Sequence, residues 1–148
     1  MPEKETLKRA AKDKAEGKSP STQAGEFVHE EIEHIREGKH GARSAKQAIA
    51  IGLAKARRAG VKLPPPDKGK TSKETREQAK RDLKKGSKGT KKKPSAKRSR
   101  ASLNKLKREG RSAASKTALS RQAHKASAKR SAASRSLSAK KAAQTRKK

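Results

Sequence analysis

The chain has 148 residues, a formal net charge of +30, one aromatic residue and no cysteine. Those figures exclude disulfide staples, thiolate metal sites and a large apolar core. Leu, Ile, Val and Phe together number 15, and nine of them lie between Phe27 and Leu63, so any core is expected there. The rest of the chain has too little apolar surface to offset ordering, which costs roughly 1–2 kcal/mol per backbone residue.

The charge is lopsided. Residues 1–40 hold 8 Lys/Arg and 9 Asp/Glu, whereas residues 41–148 hold 36 and 5. From Leu83 onward there are 24 basic residues and a single acid, Glu109. Such asymmetry points to a polyanionic partner. No apolar run approaches a membrane span and the opening MPEKETLKRA is not a signal peptide, so the chain reads as soluble and cytoplasmic.

In chain order, residues 3–16 form a short helix with a thin apolar side of Leu7, Ala10, Ala11 and Ala15, ending at Gly17. A helix that short, standing alone, is expected to fray in solvent. The Ser19-Pro20-Ser21-Thr22 cluster starts a second helix, about 23–37. Ala24, Phe27, Val28, Glu31, Ile32 and Ile35 share one of its faces, and Glu26, Glu30, Glu33 and Glu37 share another. Gly38 closes it.

The strongest signal is SAKQAIAIGLAKARRAG, residues 44–60. Ser44 and Gln47 have capping-box spacing, Ala45, Ala48, Ile49, Gly52, Leu53 and Ala56 recur on one face, and Gly60 ends the helix. The short link Lys39–Arg43 makes the second and third helices neighbours, with Phe27, Val28, Ile32 and Ile35 against Ile49, Leu53 and Ala56. Gly52 permits close approach, and Val61 and Leu63 can cap the open end. The hairpin can also pair as a homodimer through 23–60.

Three prolines at 64–66 stop the helix, and the folded boundary is expected there. A weak helix follows at 72–85, with Thr71 and Glu74 at capping spacing, and then a basic linker. Residues 95–126 faintly echo the hairpin: Arg108-Glu109-Gly110 matches Arg36-Glu37-Gly38, but three leucines cannot make a second core. Residues 111–148 are Lys/Arg, Ala and Ser without an acid, expected to be disordered alone and helical on a polyanion.

The expected organisation is therefore all-α: 1–20 a short helix and linker, 21–63 a helical hairpin module, 64–94 a Pro/Lys-rich linker, and 95–148 a largely disordered basic tail with marginal helices.

A helix-turn-helix reader would present Lys46, Lys55, Arg57 and Arg58, but the link is longer than the usual turn of roughly 3–4 residues and Gln47 is committed to the cap. His29, Glu30, Glu31, Glu33, His34 and His40 are the only metal-like cluster. Glu31 and His34 have the Glu-x-x-His spacing of di-metal bundles, but in one copy, so an exposed acidic helix face and no metal is the expectation. These acids could fold back on the basic tail. Residues 86–91 lack P-loop spacing, and no catalytic constellation or cofactor signature appears, so no enzyme is expected. A single aromatic residue disfavours base stacking.

The expected contacts to DNA phosphates are Lys46, Lys55, Arg57, Arg58 and Lys62 in the hairpin and Lys84, Lys85, Lys91, Lys92 and Lys93 in the linker. In the tail they are Lys97, Arg98, Arg100, Lys105, Lys107, Arg108, Arg111, Lys116, Arg121, Lys125, Lys129, Arg130, Arg135, Lys140, Lys141, Arg146, Lys147 and Lys148. The expected function is largely sequence-independent duplex DNA binding and compaction by phosphate neutralisation. The alternatives are an RNA- or ribosome-associated basic protein, or a protein-docking adaptor localised by its tail.

Residues 26–66, with their S-x-KQAIAIxLxxARxAG segment, resemble small basic bacterial proteins carrying a domain of unknown function. Residues 97–127 resemble the C-terminal part of the same proteins. Members are described as DNA-binding, and the tail is similar in composition to histone H1-like nucleoid proteins. The resemblance implies bacterial origin and nucleoid association, and assigns no individual residue roles.

Overall fold

The computed structural model describes residues 1–89, 93 and 95–147. They form seven α-helices and one 3-10 turn. The helices are α1 (Lys4–Ala15), α2 (Pro20–Arg36), α3 (Ala45–Arg58), α4 (Lys73–Ser87), α5 (Ala96–Lys107), α6 (Lys116–Ala128) and α7 (Ala132–Arg146), with the 3-10 turn at Ser112–Ala114 before α6. The all-α class holds.

The local signals act much as their chemistry dictates. Ser19 Oγ accepts from the Thr22 N–H at the start of α2, with Pro20 in the first turn where its missing N–H costs nothing. Ser44 Oγ accepts from the Gln47 N–H. The return bond goes one residue further out: Gln47 Oε1 accepts from Arg43 N–H at 2.7 Å. In α4 the cap is Ser72, not Thr71.

α2 and α3 pack as the expected hairpin, and the crossing is close. A Cβ on Gly52 would lie 2.6 Å from Val28 Cα, so only glycine fits. The interior divides into two clusters. Phe27, Ala24, Ala56, Ala10 and Val61 form one, flanked by Leu53 and Leu63. Ile32, Ile35, Ala42, Ala48, Ala113 and Ala114 form the other, flanked by Val28 and Leu119. Ile49 joins neither; it is half-buried and lines the open groove between α3 and α4.

Four expectations are overturned. First, α1 does not fray. It packs on α2, with Thr6, Ala10 and Asp13 buried. Arg9 pairs with Glu26 at 2.5 Å, and the Glu3 N–H donates to Glu30 at 3.0 Å. The tertiary contact supplies what an isolated short helix lacks.

Second, folding does not stop at the prolines. Arg57, only 6% exposed, reaches over the turn and donates to the carbonyls of Leu63 and Pro64. Arg76 donates to the Pro66 carbonyl, so the extended segment is stitched at both ends. α4 then lies along α3 with Ala79 and Asp82 buried.

Third, the rear of the chain is not a largely disordered tail. Residues 96–107, 116–128 and 132–146 are helical. Ala, Lys and Arg are strong helix formers, and Ser115 and Ser131 each cap the helix behind them. Along α7 the cations Arg135, Lys140, Lys141 and Arg146 never stand three or four residues apart, which avoids the repulsive spacings.

Part of this rear half is also docked. The Gly41 N–H donates to Leu106 O at 2.9 Å and the Ala42 N–H to Gly110 O at 3.0 Å. Arg36 donates to Ala114 O at 3.1 Å. A Cβ on Gly41 would run into the Glu109 carbonyl. The 95–126 echo therefore builds no second core, as expected, but contributes Ala113 and Ala114 to the first one.

Fourth, the acidic face of α2 is exposed only in part: Glu37 is exposed and Glu26 and Glu33 are half-buried, but Glu30 turns inward, as does Glu31 beside it. Glu30 and Glu31 are 3% and 1% exposed. Lys55 reaches both, at 3.6 Å and 2.6 Å, and His40 Nε2 lies 3.1 Å from Glu31. Burial pushes the Glu30 carboxyl up, but the neighbouring Thr6 hydroxyl, the Glu3 N–H, Lys55 and His34 outweigh it and hold Glu30 below the usual carboxylate range.

Candidate nucleic-acid interface

Docking of the rear half creates a cleft that neither half has alone. The start of α3 supplies Arg43, Ser44, Ala45 and Lys46. The 3-10 turn and α6 supply Ser112, Ala113, Ser115, Thr117, Ala118, Arg121, Gln122, His124 and Lys125. The cleft encloses about 630 Å³. Its rim carries four permanent cations, Arg43, Lys46, Arg121 and Lys125, all exposed. No acid lines it.

Physical causes can be named for each wall. The Ser44 cap sets the direction of α3, so Lys46 emerges in its first turn. The Ser115 cap starts α6, and the i, i+4 spacing of Arg121 and Lys125 places them on one side. Ala113 and Ala114, buried against α2 and α3, hold the two walls together. Sequence reasoning selected Lys46, Arg121 and Lys125 without connecting them, and missed Arg43 and His124. Arg43 directly precedes the Ser44 cap, and that adjacency was the available signal.

The other hairpin cations fare differently. Lys55 is committed to Glu30 and Glu31. Arg57 is buried, and burial pulls its guanidinium below its ordinary value against the opposing pull of Asp82. Arg58 is exposed but donates to Ala54 O and lies 3.6 Å from Asp82. Lys62 is exposed. Lys55 and Arg57 are thus structural cations, turned to the fold itself.

Behind α4 the pattern reverses. Among the described residues every ion pair falls between Glu3 and Asp82. Lys84 and Lys85 end α4; Lys97, Arg98, Arg100, Lys105 and Lys107 line α5; Arg135, Lys140, Lys141 and Arg146 line α7. These side chains are exposed, as are Lys93, Arg108, Arg111, Lys116, Lys129, Arg130 and Lys147. Lys91, Lys92 and Lys148 lie outside the described residues.

The fold and this surface define a small helical protein whose acids are concentrated at or before Asp82 and whose rear is densely cationic. A domain described as a family of unknown function (DUF6496) is found at residues 14–68, which covers α2, α3 and the proline segment. No curated protein matches the chain. No solved structure matches it either. No helix of the described residues is long and apolar enough to cross a membrane.

Proposed function

We propose that this protein binds duplex DNA with little sequence preference, by setting the exposed cations behind α4 against the phosphate backbone. One observation carries the reading: thirteen of the 14 acids lie at or before Asp82, where all but Glu74 are ion-paired, while the rear holds a single acid, Glu109, and its cations make no ion pair among the described residues. Such a surface gains by releasing counterions condensed on a polyanion. The cleft between α3 and α6 adds a concave seat in which Arg43 and Lys46 face Arg121 and Lys125 across one phosphate run. Lys55 and Arg57 take no part. A nucleoid setting and a compacting role follow from the same charge logic and belong to this proposal.

Salt dependence tests it. Binding to two unrelated duplexes of equal length should weaken alike as salt rises. If about ten phosphates are neutralised, the log–log slope should be near −9. A flat salt response would overturn the reading, as would a large difference between the duplexes. Tighter binding to structured RNA than to duplex DNA at equal salt would move the assignment to RNA.

A further inference from the structure

The paired front of the molecule holds a second constellation. One ligand atom from each of Glu31, His34 and His40 lies within 4.8 Å of the other two. The three residues converge because α2 carries Glu31 and His34 one turn apart, while the link to α3 folds His40 back over them. The ring centres of His34 and His40 are 6.2 Å apart, edge to face.

The hydrogen bonds around the trio fix which nitrogens are free. His40 Nδ1 lies 3.0 Å from the Gly41 carbonyl, which can only accept, so Nδ1 donates. Nε2 is then the nitrogen turned to Glu31 Oε1, at 3.1 Å. His34 Nε2 lies 2.9 Å from Glu3 Oε1, so its other nitrogen, Nδ1, is the one left for a ligand. Both imidazoles are therefore oriented by an outer acceptor, the arrangement metal-ligating histidines use.

Glu31 supplies the independent sign. Its side chain is 1% exposed, and both oxygens are enclosed with no hydrogen-bond partner. Lys55 Nζ stands 2.6 Å from Oε2 and His40 beside Oε1, but neither approach has hydrogen-bond geometry.

We propose that Glu31, His34 and His40 form a binding site for a divalent transition ion of the zinc class, bracing α2 to the loop on which the rear half docks. Two imidazoles and a carboxylate are a donor set that zinc accepts, with a fourth position left open. Bonds of about 2.0–2.1 Å require donors roughly 3.4 Å apart, so the trio contracts by up to about 1.4 Å on binding. The ion would sit between His40 Nε2 and Glu31 Oε1, and Lys55 would stay on Glu31 Oε2 and Glu30. Because Gly41 and Ala42 bond the rear half directly after His40, occupancy would steady that docking.

The test titrates the full chain with Co²⁺ in the visible range, followed by Zn²⁺. One equivalent should give the absorption of a low-coordinate cobalt site, Zn²⁺ should bleach it, and zinc should raise the melting temperature. His34→Gln and His40→Gln should each weaken binding by at least about tenfold with helicity retained, whereas His29→Gln, on the exposed side of α2, should bind as wild type. Should His40→Gln lose helicity, His34→Gln and the zinc-induced melting shift of the wild type decide. Absence of the cobalt band overturns the proposal. So does a melting temperature unmoved by zinc, or equal loss in His29→Gln.

Discussion

Substituting Gly41 by alanine isolates the contact that joins the two halves. The new methyl would fall on the Glu109 carbonyl, 2.5 Å from its carbon and 2.6 Å from the Gly110 oxygen. These are backbone atoms and cannot swing aside like a side-chain tip. Separation loses the Gly41–Leu106 and Ala42–Gly110 hydrogen bonds, each worth about 0.5–1.5 kcal/mol net. It also exposes Ala113 and Ala114, at about 0.8 kcal/mol per methyl-sized group. The sum is roughly 3–5 kcal/mol, a factor of about 10²–10⁴ in the docked population. Amide hydrogen exchange read by mass spectrometry should show residues 112–119 and 41–42 losing protection by that factor, with the segment around Phe27 unchanged. Unaltered protection at 112–119 would refute the reasoning, and so would loss of protection throughout α2 and α3.

The other expectations concern the front. Gly52→Ala forces a methyl to 2.6 Å from Val28 Cα and should destabilise the hairpin by about 1–3 kcal/mol, seen as a lower melting temperature by circular dichroism. Arg57→Leu strips the donors from the Leu63 and Pro64 carbonyls and should cost about 1–3 kcal/mol, while duplex affinity stays unchanged because that charge faces inward. Folded Glu30 binds its proton less tightly than the unfolded chain, whose ordinary value is 4.5. Its contribution to stability is therefore full above that pH and is lost as pH falls through the lower folded value; in acid denaturation, Glu30→Gln should flatten this part of the curve.

The sequence made the hairpin legible because its signals are local. Ser44 and Gly60 each act within a turn or two, and the apolar stripe of α2 is periodic. Docking of the rear half was illegible for the opposite reason. It depends on two alanines and on backbone hydrogen bonds 65 to 68 residues apart in the chain, which leave no periodic trace. Counting large apolar residues therefore underrated the rear half, where Ala content, the serine caps of α6 and α7 and, in α7, charge spacing sustain helices. The buried acids were half visible. Glu31 falls on the apolar face with Phe27 and Ile35, but nothing local announces that Lys55 and His40 arrive to meet it. In the same way, Lys46, Arg121 and Lys125 were selectable by charge, whereas their sharing a cleft is a property of the tertiary fold.

Gly52 against Val28 and Gly41 against Glu109 are both places where two main chains meet without a side chain between them. A molecule this poor in oily residues is assembled by bare proximity at a few such points. Its tolerance to change should be correspondingly uneven: generous over the long charged surfaces, where one lysine can replace another, and nearly nil wherever a single added carbon would part the halves.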